Sequence, residues 1–196
     1  MKKAISLQGV SLAKQLAFTA LFAALCCIGT VLIVIPLPNG YFNVGDVFVL
    51  LSGWFLGPIY GTVAAAVGSG LADIFGGFAI YAPATFVIKG VDAFLAWLVW
   101  AALKKCVKKQ SLDILPRAVS VVAGEAFMVL GYFLFESALY QSFATAALSL
   151  LGNTLQGVCC GVCALILIAA LYPVKSVRRL FPTLGQTEQT EQEEEK

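Results

Sequence analysis

Three ionisable side chains, Asp73, Lys89 and Asp92, lie within one apolar stretch, DIFGGFAIYAPATFVIKGVD. A charged group at the centre of a membrane helix costs about 2.5–3.5 kcal/mol on insertion scales. Keeping three of them close together points to a use, either holding the polar atoms of a ligand or pairing with one another. The same stretch carries Gly76-Gly77 and Pro83, so it reads as a hairpin between two membrane helices that supplies walls and lid to a small-molecule site. Further polar candidates are Asn43, Tyr81, Thr85, Tyr132, Glu136, Asn153 and Gln156. None of these sets is catalytic. The chain has no histidine, no GxxxxGK[ST], no HExxH and no GxSxG, so no enzyme is expected and any ATP must be hydrolysed by a partner.

The surrounding composition is that of a membrane domain. Apolar residues make up 60% and charged residues 12%, against about 25% charged in ordinary globular chains. Of 13 Lys and Arg, all but Lys196 precede Phe181, whereas five of the 11 acids fall in the closing GQTEQTEQEEEK. This predicts a transmembrane domain over 1–180 and an acidic, disordered cytoplasmic tail over 181–196. The basic residues flank apolar spans and form no basic domain, which argues against nucleic-acid binding. Cys26, Cys27, Cys106, Cys159, Cys160 and Cys163 read as small apolar side chains. Thiolates are disfavoured in hydrocarbon, so neither a metal centre nor a cofactor is expected.

The elements that must position the polar residues are six helices, giving an all-α bundle. The first, Leu16 to Ile35, resembles a secretory signal, but its apolar core of about 20 residues is too long for one. Ala13, Ala17, Ala20 and Ala24 fall on one face of it, where another helix could approach closely. PLPNGYFNVGD is turn chemistry, and a short second helix then runs to a break at Gly57-Pro58. The third, Ile59 to about Phe75, is rich in small residues, which predicts packing on several sides. The fourth runs from Pro83 to about Leu103, the fifth from Ile114 to Ser137, and the sixth from Ala146 to Tyr172.

Charge sets the orientation. Lys2, Lys3 and Lys14 precede the first helix, Lys104, Lys105, Lys108, Lys109 and Arg117 lie between the fourth and fifth, and Lys175, Arg178 and Arg179 follow the sixth. The other loops hold no Lys or Arg, so the positive-inside rule places both termini in the cytoplasm of a bacterial cell. With helical rise as a ruler, the polar side chains collect in the outer half, Glu125 alone lies near mid-membrane, and the inner half is nearly bare. A channel or proton relay needs polar groups through the whole thickness. A polar cluster at one face, with Tyr41, Phe42, Phe78, Tyr81, Phe86 and Tyr132 among it, predicts a pocket for a small, partly aromatic ligand. Structural alternatives stand beside each residue. Lys89 could pair with Asp92 or with Asp73, Asp46 could cap the second helix, Glu125 could be protonated and hydrogen-bonded in the bundle, and Asn153 and Gln156 could bond between helices.

The residues that carry a family likeness are N-V-G-D (43–46), GPIYG (57–61), G-x-x-x-A-D ending at Asp73, Y-A-P-A-T-F-V-I-K-G (81–90), G-Y-F-L-F-E (131–136) and N-T-L-Q (153–156). In this order, over about residues 10–180, the chain resembles a substrate-binding S component of an energy-coupling factor (ECF) vitamin transporter. The subgroup it most resembles is the hydroxymethylpyrimidine or pyridoxine type, grouped with riboflavin-type transporters. The resemblance implies a receptor in the lipid bilayer that binds a vitamin from outside and associates with a transmembrane coupling subunit and two cytoplasmic ATPases. It implies that Ala13 and Ala17, with Ala20 and Ala24, form the surface facing the coupling subunit. The expected ligand contacts are Asp73, Lys89 and Glu136 to heteroatoms, Tyr81, Phe86 and Tyr132 to the ring, and Thr85, Asn153 and Gln156 around them, with the loop holding Asn43 closing the mouth. The competing readings are a self-sufficient secondary carrier, a riboflavin-specific S component, and a membrane assembly protein without a ligand.

Overall fold

A computed structural model describes residues 10–36, 41–105 and 113–181. Five long helices dominate it: α1 (Leu12–Leu32), α2 (Gly45–Phe75), α3 (Ala82–Lys104), α4 (Ile114–Tyr140) and α5 (Phe143–Leu171), followed by the short α6 (Lys175–Leu180). Each of the five is long and apolar enough to cross a bilayer. Their outer faces carry exposed residues such as Val122, Leu151 and Ile166, while Asp46, Asp73, Lys89, Asp92, Glu125 and Glu136 are all buried. Apolar outside and charged inside is the arrangement of a helical membrane protein. Lys2, Lys3, Cys106, Lys108, Lys109 and the tail from Pro182 onward lie outside the described residues.

α2 is not one rod. Gly57 has φ 82° and ψ −170°, a conformation open to glycine alone, and Pro58 follows it. Along a straight helix Ser52 and Gly61 would stand about 13 Å apart. Instead the Ser52 hydroxyl donates to the Gly61 carbonyl at 3.1 Å, so the chain doubles back at Gly57 into two antiparallel arms. Gly61 permits the contact, since a Cβ there would lie 2.5 Å from the Ser52 carbonyl oxygen. The break expected at Gly57-Pro58 is therefore a sharp hairpin, and it returns Asp73 to the end of the bundle where Asp46 begins. α1 packs on α2, α2 on α3, α3 on α4 and α4 on α5, and α5 closes back against α2.

The turn segment after α1 differs from the loop expected. Val34–Pro36 (β1) and Tyr41–Asn43 (β2) pair antiparallel, Ile35 opposite Phe42, and form a small hairpin over one end of the bundle.

The opposite end is packed with aromatic rings. Phe18 and Phe55 stand 4.7 Å and 4.8 Å from Phe181, and Phe22 lies between them at 6.2 Å. Phe181, read from the sequence as the first tail residue, is buried in this cluster. Arg117, counted from the sequence among the charges between the fourth and fifth helices, is 2% exposed. Its guanidinium sits between Trp54 and Trp100, 5.0 Å and 4.4 Å from their centroids, and Nε donates to Asp113 at 3.0 Å. Asp113 also accepts from Trp100 Nε1, which ties α3 to the start of α4.

Candidate functional site

Beneath the β-hairpin the helices leave a partly open cavity. Its lining comes from six parts of the chain: Tyr41 and Asn43 from β2, Asp73 from α2, Phe78 and Tyr81 from the α2–α3 turn, Thr85 from α3, and residues of α4 and α5. The α4 residues are Tyr132 and Glu136; the α5 residues are Asn153 and Gln156. The helical period explains these pairs, since residues three or four apart share a face.

Tyr41 and Phe78 form the upper wall, with ring centroids 4.7 Å apart, and the Tyr41 hydroxyl donates to Asp73 Oδ1 at 2.8 Å. Burial, reinforced by the Asp73 carboxylate, raises the Tyr41 phenol well above its ordinary range and keeps it a donor. Burial and its contact with Tyr140 do the same for Tyr81, whose hydroxyl lies 2.7 Å from that of Tyr140 and 3.5 Å from Glu136 Oε1. Ser149 donates to Glu136 Oε2, and Thr85 and Tyr132 share a hydrogen bond of 3.0 Å.

The floor is one connected set of polar groups. The backbone and side-chain amides of Asn43 both donate to Gln156 Oε1, at 2.9 Å and 3.2 Å. Gln156 Nε2 donates to Asp46 Oδ2 at 2.7 Å, and Asp46 Oδ1 accepts from Lys89 Nζ. Lys89 also lies over the Tyr132 ring, 5.4 Å from its centroid. β2, α5, α2, α3 and α4 are thus linked in sequence, and the buried Lys89–Asp46 ion pair is satisfied on both sides. Below it Asp92 and Glu125 are buried without a hydrogen-bond partner on any carboxyl oxygen. Gly124 makes room for Asp92, whose Oδ1 lies 2.3 Å from where a Cβ would be.

Of the residues singled out from the sequence, Asn43, Asp73, Tyr81, Thr85, Tyr132, Glu136, Asn153 and Gln156 come together around the cavity. Lys89 lies just beneath the lining, and its partner is neither Asp92 nor Asp73 but Asp46. Phe86 does not reach the cavity; one residue on from Thr85 it turns outward and is 49% exposed. Asp46 is not the cap of its helix, a position held by Val44, but a buried member of the floor. Tyr41 and Phe78, expected only as part of an aromatic cluster, are wall residues. Ala13, Ala17, Ala20 and Ala24 are all exposed on α1. Among the described cysteines, Cys160 donates to the Asn43 carbonyl and so supports β2 from below.

These features define a multi-pass membrane protein with a polar-lined cavity at one end of the bundle. The sequence matches the ECF-type riboflavin transporter S component family over residues 11–173, and the chain belongs to that family, whose members reside in the plasma membrane. A Pyrococcus woesei protein described as an "uncharacterized protein in gap 3'region" is 35% identical over 106 residues. That match covers 53% of this chain and 65% of the relative, a little under two thirds of its length.

Proposed function

We propose that this chain is the substrate-binding subunit of an ECF-type importer, capturing a small heterocyclic vitamin or vitamin precursor from outside the cell. Pyridoxine-like and hydroxymethylpyrimidine-like compounds are the leading ligand classes. The observation that carries the reading is the cavity, where nine hydrogen-bonding side chains, three of them tyrosines, converge with Phe78 in an otherwise apolar bundle. Tyr41, Phe78 and Tyr81 enclose a ring, and Asp73, Glu136, Thr85, Tyr132, Asn153 and Gln156 meet its heteroatoms. Lys89 holds the floor through Asp46. The two arms of α2 each count as a crossing, which gives six membrane passages, both termini in the cytoplasm, and a pocket facing outward under the β-hairpin.

Transport then requires a transmembrane coupling subunit and two cytoplasmic ATPases, since the chain has no nucleotide-binding motif. The uncovered alanine face of α1 is where the coupling subunit docks. A riboflavin ligand is a second reading, favoured by the description of the matching family. The test is a thermal-stability screen of the purified protein against a vitamin panel. A true ligand at about 100 times its Kd stabilises by about 2.7 kcal/mol. No stabilisation by any vitamin, or gradient-driven uptake by this chain alone in liposomes, would refute the proposal.

A further inference from the structure

We infer that the cavity accepts neutral or cationic heterocycles rich in hydrogen-bond donors and rejects their phosphorylated and carboxylated counterparts. The inference rests on the proposed function and sharpens it. The lining holds two carboxyl groups, Asp73 and Glu136, and among the described residues no Lys or Arg lines the cavity. The nearest cation, Lys89, is already bonded to Asp46 and lies below the lining. The segments joining the helices at this end, 33–44, 76–81 and 141–142, contain no Lys or Arg anywhere in their sequence.

The hydrogen bonds left open point the same way. Asp73 Oδ1 is held by Tyr41, and the buried Oδ2, beside the Thr85 hydroxyl, makes no hydrogen bond of good geometry among the described residues, so it can accept from a ligand donor. Glu136 Oε1 receives only the long 3.5 Å contact from Tyr81. A ring N–H, an exocyclic amine or a hydroxyl satisfies such oxygens. A phosphate ester brings acceptors alone and about −1.5 to −2 charges, against two carboxylates without a counter-ion. Anions are ordinarily met by Arg, Lys or a free helix N-terminus. The helix starts at this end offer little: α2 has Asp46 in its first turn, α3 has Pro83, which lacks an N–H, and at the start of α5 the Ser142 hydroxyl already accepts from the Thr145 N–H.

The test measures binding of matched pairs to the purified full chain: pyridoxine and pyridoxine 5′-phosphate, hydroxymethylpyrimidine and its phosphate, riboflavin and its 5′-phosphate. For whichever parent binds, the ester is expected to bind at least about 100-fold more weakly, the scale of like-charge juxtaposition. Asp73→Asn or Glu136→Gln should narrow that gap by about 10-fold or more, by relieving the repulsion. An ester within about 3-fold of its parent overturns the inference and leaves the proposed function standing. A gap unchanged in both variants also overturns it, because size and not charge then excludes the ester. If no parent binds at all, the proposed function falls and this inference with it.

Discussion

Replacing Lys89 with methionine should destabilise the protein strongly, and adding Asp46→Asn should restore it. Asp46 is 1% exposed and Lys89 4% exposed, so neither charge has water to fall back on. In Lys89→Met the Asp46 carboxylate keeps its bond from Gln156 at Oδ2 but loses its only cation at Oδ1. Removing one partner of a buried pair costs about 3–5 kcal/mol, whereas replacing both with neutral groups of similar size is close to neutral. At roughly 2–4 °C per kcal/mol for a chain of this length, the single variant should melt on the order of 10 °C lower. In the double variant the amide can still accept from Gln156, so stability should return to within about 1–2 kcal/mol of the parent. The assay is thermal unfolding in detergent, followed by size-exclusion chromatography across the full double-mutant cycle. A drop of less than about 2 °C in Lys89→Met would refute the placement of an isolated ion pair. So would a double variant as unstable as the two singles combined.

Gly61→Val should prevent the arms of α2 from closing, because its Cβ falls 2.5 Å from a backbone oxygen, and the protein should lose monodispersity and ligand binding. Gly90→Ala, whose nearest neighbour is the Ala66 methyl at 3.2 Å, should fold with a small shift in melting temperature. Phe181→Ala should cost about 3–5 kcal/mol by emptying a ring from the aromatic cluster, and an unchanged melting temperature would return this residue to the tail. Trp at Ala13 and Ala17 should abolish uptake by the complete transporter and leave ligand affinity of the isolated subunit unchanged, because both positions are exposed.

The long helices were legible because apolar runs and proline–glycine punctuation are local signals, and the break at Gly57-Pro58 was read as such. Most of the cavity was legible too, for a reason of depth: polar side chains in hydrocarbon must gather, and helical rise says at what level each one lies. What depth cannot give is rotation about the helix axis. Thr85, Lys89 and Asp92 follow one stripe of α3, so Phe86 beside it had to point away, and the three- and four-residue spacing already implied this. The choice of Asp46 over Asp73 or Asp92 as the partner of Lys89 depends on how α2 and α3 face each other, which a single sequence does not encode. Arg117 was misjudged because counting charges assigns it to a loop, while two tryptophans from separate helices draw its planar cation inside. The β-hairpin escaped because strands of three residues are too short for an alternating pattern.

The placing of the cavity opposite the aromatic cluster around Phe181 has a kinetic consequence. The cluster fills the end of the bundle opposite the hairpin with Phe18, Phe22 and Phe55, whereas the cavity opens at the hairpin end. A molecule that enters and leaves through that opening follows one path in both directions. A change that merely widens the portal, leaving the free and occupied forms otherwise alike, must speed entry and exit by the same factor and leave Kd where it was. Long residence and rapid capture therefore cannot both be tuned at the mouth; residence has to be set by contacts along the walls and floor.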